Sequence, residues 1–382
     1  MDSTNEEKIS IGVFVRRGVI KKFLQQTPIA KYAELHEANE VVKANLFFFS
    51  RDGLKGKAGK ILGVFFNKRN AKWSMKQFSY PHVVYSRKSG GLAGKKNRQY
   101  RREFQIRKVI WWSSHRRYNK WDVFEKLAND PNIKRYLPIT NKYKEISQLI
   151  PMFKKYSSVY LKSARGTGGG GVIRIRPEPG GGYEWSQHGS ELITKKLLTL
   201  KELSQEIARF YRKREIIFQE GINLLSMGGR LVDFRGDLQK NGKNQLYYSY
   251  INARIGEEGS PIASRTTAER KVLFDEFIEQ YMNGDWGNKE KLRRRVHHFL
   301  RTTYTTMEKY YGPLGELGID FGIDHNWKIW LIECNKTPHR KNLKYLYPRD
   351  QRISVWVRAL EYSKYLYQRQ LKSKAVERDK VK

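Results

Sequence analysis

Hydrophobic residues in this chain follow two rhythms. In the first third they come in short bursts. Ile9-Ser10-Ile11-Gly12-Val13-Phe14-Val15, Leu46-Phe47-Phe48-Phe49, Ile61-Leu62-Gly63-Val64-Phe65-Phe66 and His82-Val83-Val84-Tyr85 are short, rich in β-branched and aromatic residues, and predict strands. Residues 28–43 read as a helix with Pro28 just inside its start. Strand, helix, strand in that order predicts a parallel sheet within residues 8–118. Gly90 to Lys96 reads as a basic loop.

From residue 120 the apolar spacing changes to three and four. Residues 120–155 predict two helical pieces split by Pro138. Trp121, Phe124 and Leu127 share one face of the first, and Tyr143, Ile146, Leu149, Ile150 and Phe153 are spaced for the second. Residues 199–214 predict a helix with Leu200, Leu203, Ile207 and Phe210 inward. A later helix repeats Leu292, Val296, Phe299, Leu300, Tyr304 and Met307 at a 3.6-residue period. Between these lie strands at 159–161, 172–176, 183–186 and 215–220. Residues 230–239 and 245–255 predict an antiparallel pair turning at Asn241-Gly242. Residues 317–324 and 328–335 predict a second pair. Residues 350–366 read as a closing helix and 368–382 as a frayed, charged tail. No internal repeat is visible. The mixture defines an α/β (α+β) chain.

Residues 156–176, YSSVYLKSARGTGGGGVIRIR, carry the first candidate chemistry. A short strand delivers Lys162, and a loop with five glycines from Gly166 to Gly171 follows. Glycine costs backbone entropy and supplies no packing, so such a loop serves close approach of backbone N–H groups to an anion, commonly phosphate. The letters satisfy G-x-G-x-x-G, but the dinucleotide fingerprint requires a helix next, and Val172 to Arg176 alternates as a strand. No Gly-Lys-Ser/Thr closes the run, so the Walker loop fails too. A strand–loop–strand flap over phosphates remains, against the plainer reading of a surface loop.

Asp320, Asp324, Glu333 and Asn335 form the second candidate. Glu333 and Asn335 are two apart, so they share a strand face, and Asp320 can lie across from them. Two carboxylates and an amide oxygen make a hard-oxygen set of the kind magnesium takes. Solvated acids on a sheet edge are the alternative. Arg230, Asp233 and Arg235 form a third cluster. A guanidinium there could clamp a carboxylate or a phosphoryl group, or make an ordinary cross-strand ion pair. His297 and His298 read as structural.

Charge then enlarges the picture. The 382 residues carry a net charge of +37. Residues 51–120 hold twenty Lys or Arg against two acids, Asp52 and Glu103. A polyanionic partner and a merely solvated face are equal readings of that excess. No zinc-finger, homeodomain or RNA-recognition signature accompanies it. A single cysteine, Cys334, excludes an internal disulfide framework and a zinc-finger cluster. No apolar run reaches the ~18 residues of a membrane span. The polar start, MDSTNEEKIS, argues against a secretory signal and for intracellular synthesis.

Four stretches, in order over residues 119–340, resemble the ATP-grasp superfamily: Asn119-Lys120-Trp121, VYLKSARGTGGGGV, IIFQEGI, and GIDFGID with IWLIECNKTP. A narrower resemblance spans most of the chain. ISIGVFV, LFFFSRDG, FSYPHVVYSR, NKWDVFEKLAND, YLPIT, RLVDFRGDLQKNG and Ala253-Arg254-Ile255-Gly256 are similar to the YheC/YheD family of endospore coat-associated proteins.

The resemblance implies a pre-ATP-grasp-like parallel α/β domain (8–118) and a two-lobed ATP-grasp domain with antiparallel sheets. Its central lobe (119–218) would carry the flap and its C-terminal lobe (219–345) the metal site, followed by a helix and charged tail (346–382). ATP and Mg2+ are the implied cofactors. Lys120 and Lys162 would contact the α- and β-phosphates, and Gly168, Gly169 and Gly170 would cover the β- and γ-phosphates. Glu220 and Ile222 would read adenine through the backbone, with Gln219 nearby and Asp233 in the same nucleotide site. Asp320, Glu333 and Asn335 would hold magnesium. Arg235 would stabilise the γ-phosphoryl in transfer. The implied enzyme is a carboxylate–amine or related ligase working through an acyl phosphate. Its carboxylate substrate is unidentified, and it needs no covalent enzyme nucleophile. Its place would be the mother cell or forespore cytoplasm, with coat association.

Two positions depart from the pattern: Ser163 stands where proline is usual, and Ser264 to Glu269 replaces an asparagine and a glycine pair. That second departure keeps two alternatives open, a non-catalytic nucleotide-binding coat or scaffold protein and a basic polyanion binder whose partner is an acidic polymer. Nucleic acid is the less favoured partner.

Overall fold

The structure, a computed structural model, describes residues 8–55, 59–87, 91–92, 94–112, 118–166, 169–263, 268–282, 286–338, 340 and 343–379. Three sheets follow one another along the chain. The first is built from β1 (Ser10–Phe14), β2 (Asn45–Phe49), β3 (Lys60–Asn67), β4 (Lys72–Ser79), β5 (Val83–Ser86) and β6 (Ile110–Trp112), in the order β4-β3-β2-β1-β5-β6. Helices α1 (Arg17–Leu24), α2 (Ala30–Val42) and α3 (Arg98–Ile106) connect them. The parallel pairing expected of strand–helix–strand holds for β1 with β2 and β5, and for β5 with β6. The sheet is nevertheless mixed. The short turn at 68–71 folds β4 back on β3, and a connection that short permits only antiparallel pairing. Pro28 lies one residue before the extended N-cap, Ile29, rather than inside α2.

The second sheet is antiparallel throughout. It joins β7 (Thr140–Lys142), β8 (Val159–Ser163), β9 (Val172–Pro177), β10 (Tyr183–His188), β11 (Leu192–Leu197) and β12 (Ile216–Glu220) in the order β11-β10-β9-β8-β12-β7. Around it stand α4 (Lys120–Ala128), α5 (Pro131–Lys134), α6 (Ile150–Lys155) and α7 (Leu200–Tyr211). The second helical piece expected after Pro138 is not one helix. Residues 140–142 pair with β12, a capping box between Glu145 and Gln148 starts a 3-10 turn, and only α6 is α-helical. The apolar spacing survives because Leu149 and Met152 still face the core.

The third sheet holds β13 (Ser226–Met227), β14 (Arg230–Lys240), β15 (Leu246–Gly256), β16 (Ala268–Leu273), β17 (Glu316–Ile323) and β18 (Ile329–Asn335), ordered β16-β15-β14-β17-β18 with β13 on β14. Helices α8 (Phe274–Tyr281) and α9 (Trp286–Tyr311) cover one face. All six residues of the predicted stripe on α9 are buried, each contributing about 1.5–3 kcal/mol of apolar transfer energy. Gly236 admits α9 closely, since a Cβ there would lie 2.7 Å from the Leu300 methyls. The β14–β15 turn is wider than a two-residue Asn-Gly hairpin. The Asn241 side chain accepts from the N–H groups of Lys243 and Gln245, and the left-handed residue is Asn244. His297 stacks on Tyr248 with centroids 4.4 Å apart, a packing role.

The short α10 (Leu343–Leu346) leads into α11 (Arg349–Asp379), which continues well past the expected end near 366. Trp356, Ala359 and Leu360 of α11 share one core with Tyr32, Leu35 and Ala38 of α2. Arg352 Nε donates to Glu34 at 2.8 Å. Among the described residues no helix is long and apolar enough to cross a membrane.

Candidate nucleotide-binding site

A cavity of about 300 Å3 lies between the second and third sheets, lined from both sides. Lys120 opens α4, whose N-cap Asn119 accepts from Trp121 N. The Lys120 ammonium donates to Gly166 O at 2.9 Å and stands 3.5 Å from Glu333 Oε1, so it bridges the glycine loop and the acidic strand. Lys162, on β8, donates to Gln219 Oε1 at 2.5 Å, and Gln219 in turn donates to Thr140 Oγ1 at 2.8 Å. Burial first, and the neighbouring Lys120 second, lower the Lys162 pKa to about 8.

The glycine loop is a β8–β9 hairpin, which rules out the strand-to-helix fingerprint. Gly169 has a φ of 82° and lines the cavity. Its carbonyl accepts from Val172 N at 3.0 Å. Nothing approaches a Cβ built on Gly170. Gly168 lies outside the described residues, and so does the 264–267 part of the divergent segment. On the same sheet β12, the neighbour of β8, ends at Glu220, whose carboxylate accepts from Ile139 N at 2.8 Å. Gly221 is required there, because a Cβ would meet Ser158 Oγ at 1.8 Å. Ile222 follows and lines the cavity with Gln219 and Glu220.

The third sheet supplies the charged wall. Asp320 on β17 pairs in register with Glu333 on β18, and Gly318 with Asn335. Asn335 Nδ2 donates to Asp320 Oδ2 at 3.1 Å. The three oxygen-bearing side chains therefore stand together as period-2 geometry requires. Asp324 does not join them. It accepts from the backbone of Asn326 and Lys328 and from Trp330 Nε1, holding the β17–β18 turn. Arg230 pairs with Glu258 at 3.7 Å, away from the other two members of its cluster.

Arg235 bonds Asp237 and donates to Asp320 Oδ1 at 2.8 Å. Arg254 bonds Asp233 and stands 3.1 Å from the same Asp320 oxygen. Burial pushes Asp320 upward, but the two guanidiniums more than offset it and hold its carboxyl below the usual range. Glu333 is raised by burial, with Lys120 opposing. Arg254 is the residue that sequence reasoning missed as a site member. Its signal was available: Tyr250, Asn252 and Arg254 alternate along β15, and all three line the cavity.

Gly318 explains where the Arg235 guanidinium rests. A Cβ at 318 would come within 2.1 Å of Arg235 Nη2. Gly318→Ala is therefore expected to expel Arg235 from Asp320 and to destabilise the fold by about 1–3 kcal/mol, as overpacking does. Denaturant unfolding of the variant checks this; unchanged stability would contradict it.

Among the described residues no group of three His, Cys, Asp or Glu could hold a metal. The set here is instead two carboxylates and an amide oxygen. Those donors suit a hard divalent cation that keeps positions for phosphate oxygens.

A glycine hairpin and Lys162 on one antiparallel sheet, with Lys120 at the start of α4 beside them, facing an Asp/Glu/Asn wall on another sheet, define an ATP-grasp protein. Solved structures agree on the fold. D-alanyl-alanine synthetase A from Vibrio cholerae superposes with a TM-score of 0.53 at 15% identity, covering 93% of this chain and 99% of that one. D-alanine–D-alanine ligase from Coxiella burnetii gives 0.53 at 11%, covering 98% and 100%. N5-carboxyaminoimidazole synthetase from Staphylococcus aureus, complexed with ADP, gives 0.51 at 10%, covering 92% and 78%.

The chain belongs to the YheC/D like ATP-grasp family, which matches residues 110–366. Endospore coat-associated protein YheD of Bacillus subtilis (strain 168) is 24% identical over 363 residues, 90% of this chain and 75% of that protein. YheC of the same organism is 23% identical over 254 residues, covering 66% and 68%.

Proposed function

We propose that the chain is an ATP- and magnesium-dependent ligase that activates a carboxylate as an acyl phosphate. The observation carrying this reading is that Lys120, Lys162 and the glycine hairpin face Asp320, Glu333, Asn335 and Arg235 across a single cavity. Adenine would lie against Gln219, Glu220 and Ile222, where β12 ends. Lys120 and Lys162 would hold the α- and β-phosphates, with Gly168, Gly169 and Gly170 closing over the β- and γ-phosphates. Asp320, Glu333 and Asn335 would hold magnesium, which neutralises charge at the β- and γ-phosphates.

Two guanidiniums, those of Arg235 and Arg254, pair with Asp320. With Asp320 among the residues that would hold the cation, Arg235 and Arg254 would be the guanidiniums placed to meet the γ-phosphoryl group. Asp233 keeps Arg254 oriented through its ion pair. The acceptor carboxylate oxygen would attack the γ-phosphorus, ADP would leave, and a nucleophile would then displace phosphate from the acyl group. Arg235 aims its charge at the oxygens on which negative charge builds, the form of stabilisation that dominates such transfers. In the same reading residues 8–118 form the N-terminal domain, 119–218 the flap-bearing lobe and 219–345 the metal-bearing lobe, with helix and tail over 346–382. The names of the YheD and YheC relatives support placing the protein at the endospore coat. Purified protein with ATP, Mg2+ and a panel of acids and amines should release ADP in the presence of one acid. No release across a metabolite extract would contradict ligase activity.

Lys162 sets a pH dependence. Bound phosphate favours its ammonium, so ATP affinity should fall about tenfold between pH 7 and pH 9 as a group titrating near pH 8 loses its proton. Calorimetry in buffers of different ionisation enthalpy should show proton uptake above pH 8, and Lys162→Met should abolish it. Because the folded pKa lies below the unfolded value, the unfolded chain binds more protons between about pH 8 and 10.5. This lysine's contribution to ligand-free stability therefore rises with pH across that window.

A further inference from the structure

The nucleotide cavity uses few of the chain's cations. Residues 51–120 carry twenty Lys or Arg and only two acids, and one of those, Glu103, is engaged by the Tyr80 hydroxyl. A second crevice, of about 400 Å3, opens in this segment at the amino ends of β5 and β6. Arg87, at the other end of β5, reaches Glu316 of the third sheet, so the crevice faces away from the nucleotide cavity. Gly59, the end of β4 with the β4–β5 link, the α3–β6 turn and one face of α11 wall it. Arg107, Lys108 and Lys374 line it, and among the described residues no Asp or Glu does.

The crevice is held in shape. Gln370 Nε2 donates to Lys108 O at 3.0 Å, tying α11 to the turn. Lys108 itself adopts a left-handed φ of 53°, which reverses the chain between α3 and β6. His82 stacks on Tyr367 with centroids 4.3 Å apart. Its Nδ1 accepts from Ser10 N at 3.1 Å, which fixes the ring against β1. Arg107 lies 4.6 Å from the centroid of the Tyr80 ring.

Arg107, Lys108 and Lys374 line one crevice with no carboxylate among its lining residues, so an anion between them relieves their mutual repulsion. A phosphoryl group suits the set better than a single carboxylate. It offers a guanidinium fork and two ammonium groups three oxygens and up to two charges. We infer that this crevice is a binding site for a phosphoryl anion, separate from the nucleotide cavity.

The test uses the full chain with its nucleotide cavity saturated by ADP, titrated calorimetrically with inorganic pyrophosphate at low salt. Lys108→Asn with Lys374→Gln is the informative variant. Asparagine tolerates the left-handed backbone, and neither lysine is a member of the nucleotide site. One pyrophosphate per chain should bind in the presence of ADP. The double variant should weaken it at least about tenfold, with ADP affinity kept within about twofold, and added salt should weaken it as well. A parallel arm uses phosphatidylcholine vesicles containing phosphatidic acid. Capture of those vesicles alone, lost in the variant, would assign the site to a lipid phosphate; pyrophosphate binding alone would assign it to a soluble one. No binding beyond the nucleotide cavity, or binding indifferent to the variant, overturns the inference, whatever the fate of the ligase reading.

Discussion

Replacing Glu333 by glutamine should weaken ATP binding in the presence of magnesium by about 100-fold, while metal-free ATP affinity changes by no more than about threefold. Glutamine preserves shape and one oxygen but removes the charge. Glu333 is paired in register with Asp320 on the same face as Asn335, so it is one of only two anionic oxygen donors in the cluster. Losing one of two carboxylates from a hard-cation site removes most of the electrostatic attraction, and even partners outside the ligand set typically cost 10–100-fold. Lys120 would lose its nearby carboxylate, 3.5 Å away, and gain freedom to meet phosphate, which is why metal-free binding should hold. Titration of ATP with and without Mg2+ separates the two effects. Equal weakening in both would place Glu333 outside the metal site.

Arg235→Lys should lower ADP-forming turnover by about 10²–10³-fold with a much smaller change in nucleotide affinity. Lysine keeps the charge but not the fork that reaches Asp237 and Asp320 together. The guanidinium also lies flat on Gly318, where an ammonium has no equivalent seat. The buried carboxylates it leaves behind would be poorly compensated, so the variant should also melt earlier; breaking a buried pair costs about 3–5 kcal/mol when one partner is removed outright. A variant that is folded, binds ATP and turns over normally would show that Arg235 serves only to hold the sheet together.

Much of this site was legible because strands and helices have fixed periods. Glu333 and Asn335 are two positions apart, and that alone put them on one face. The short turn after Asp324 then brought Asp320 opposite. The six-residue stripe on α9 was readable for the same reason. What escaped has physical causes. β4 and β11 are edge strands whose side chains are mostly exposed, so no core-facing alternation marks them. The stretch from Tyr143 to Phe153 has helical spacing, yet Tyr143 N donates to Ile216 O and continues the pairing of residues 140–142 with β12, so no helix starts there. Arg254 depends on the register of β15 against β14, a pairing between residues twenty-one apart, and nothing in its own neighbourhood announces that Asp233 and Asp320 will meet it.

The most direct measurement is a crystal structure with a non-hydrolysable ATP analogue and Mn2+, read by anomalous scattering. The predicted result is a metal peak bonded to Asp320, Glu333 and Asn335, with Lys120 and Lys162 on the phosphates and adenine against Glu220 and Ile222. Triphosphate found elsewhere, or a metal peak away from all three side chains, would contradict the assignment.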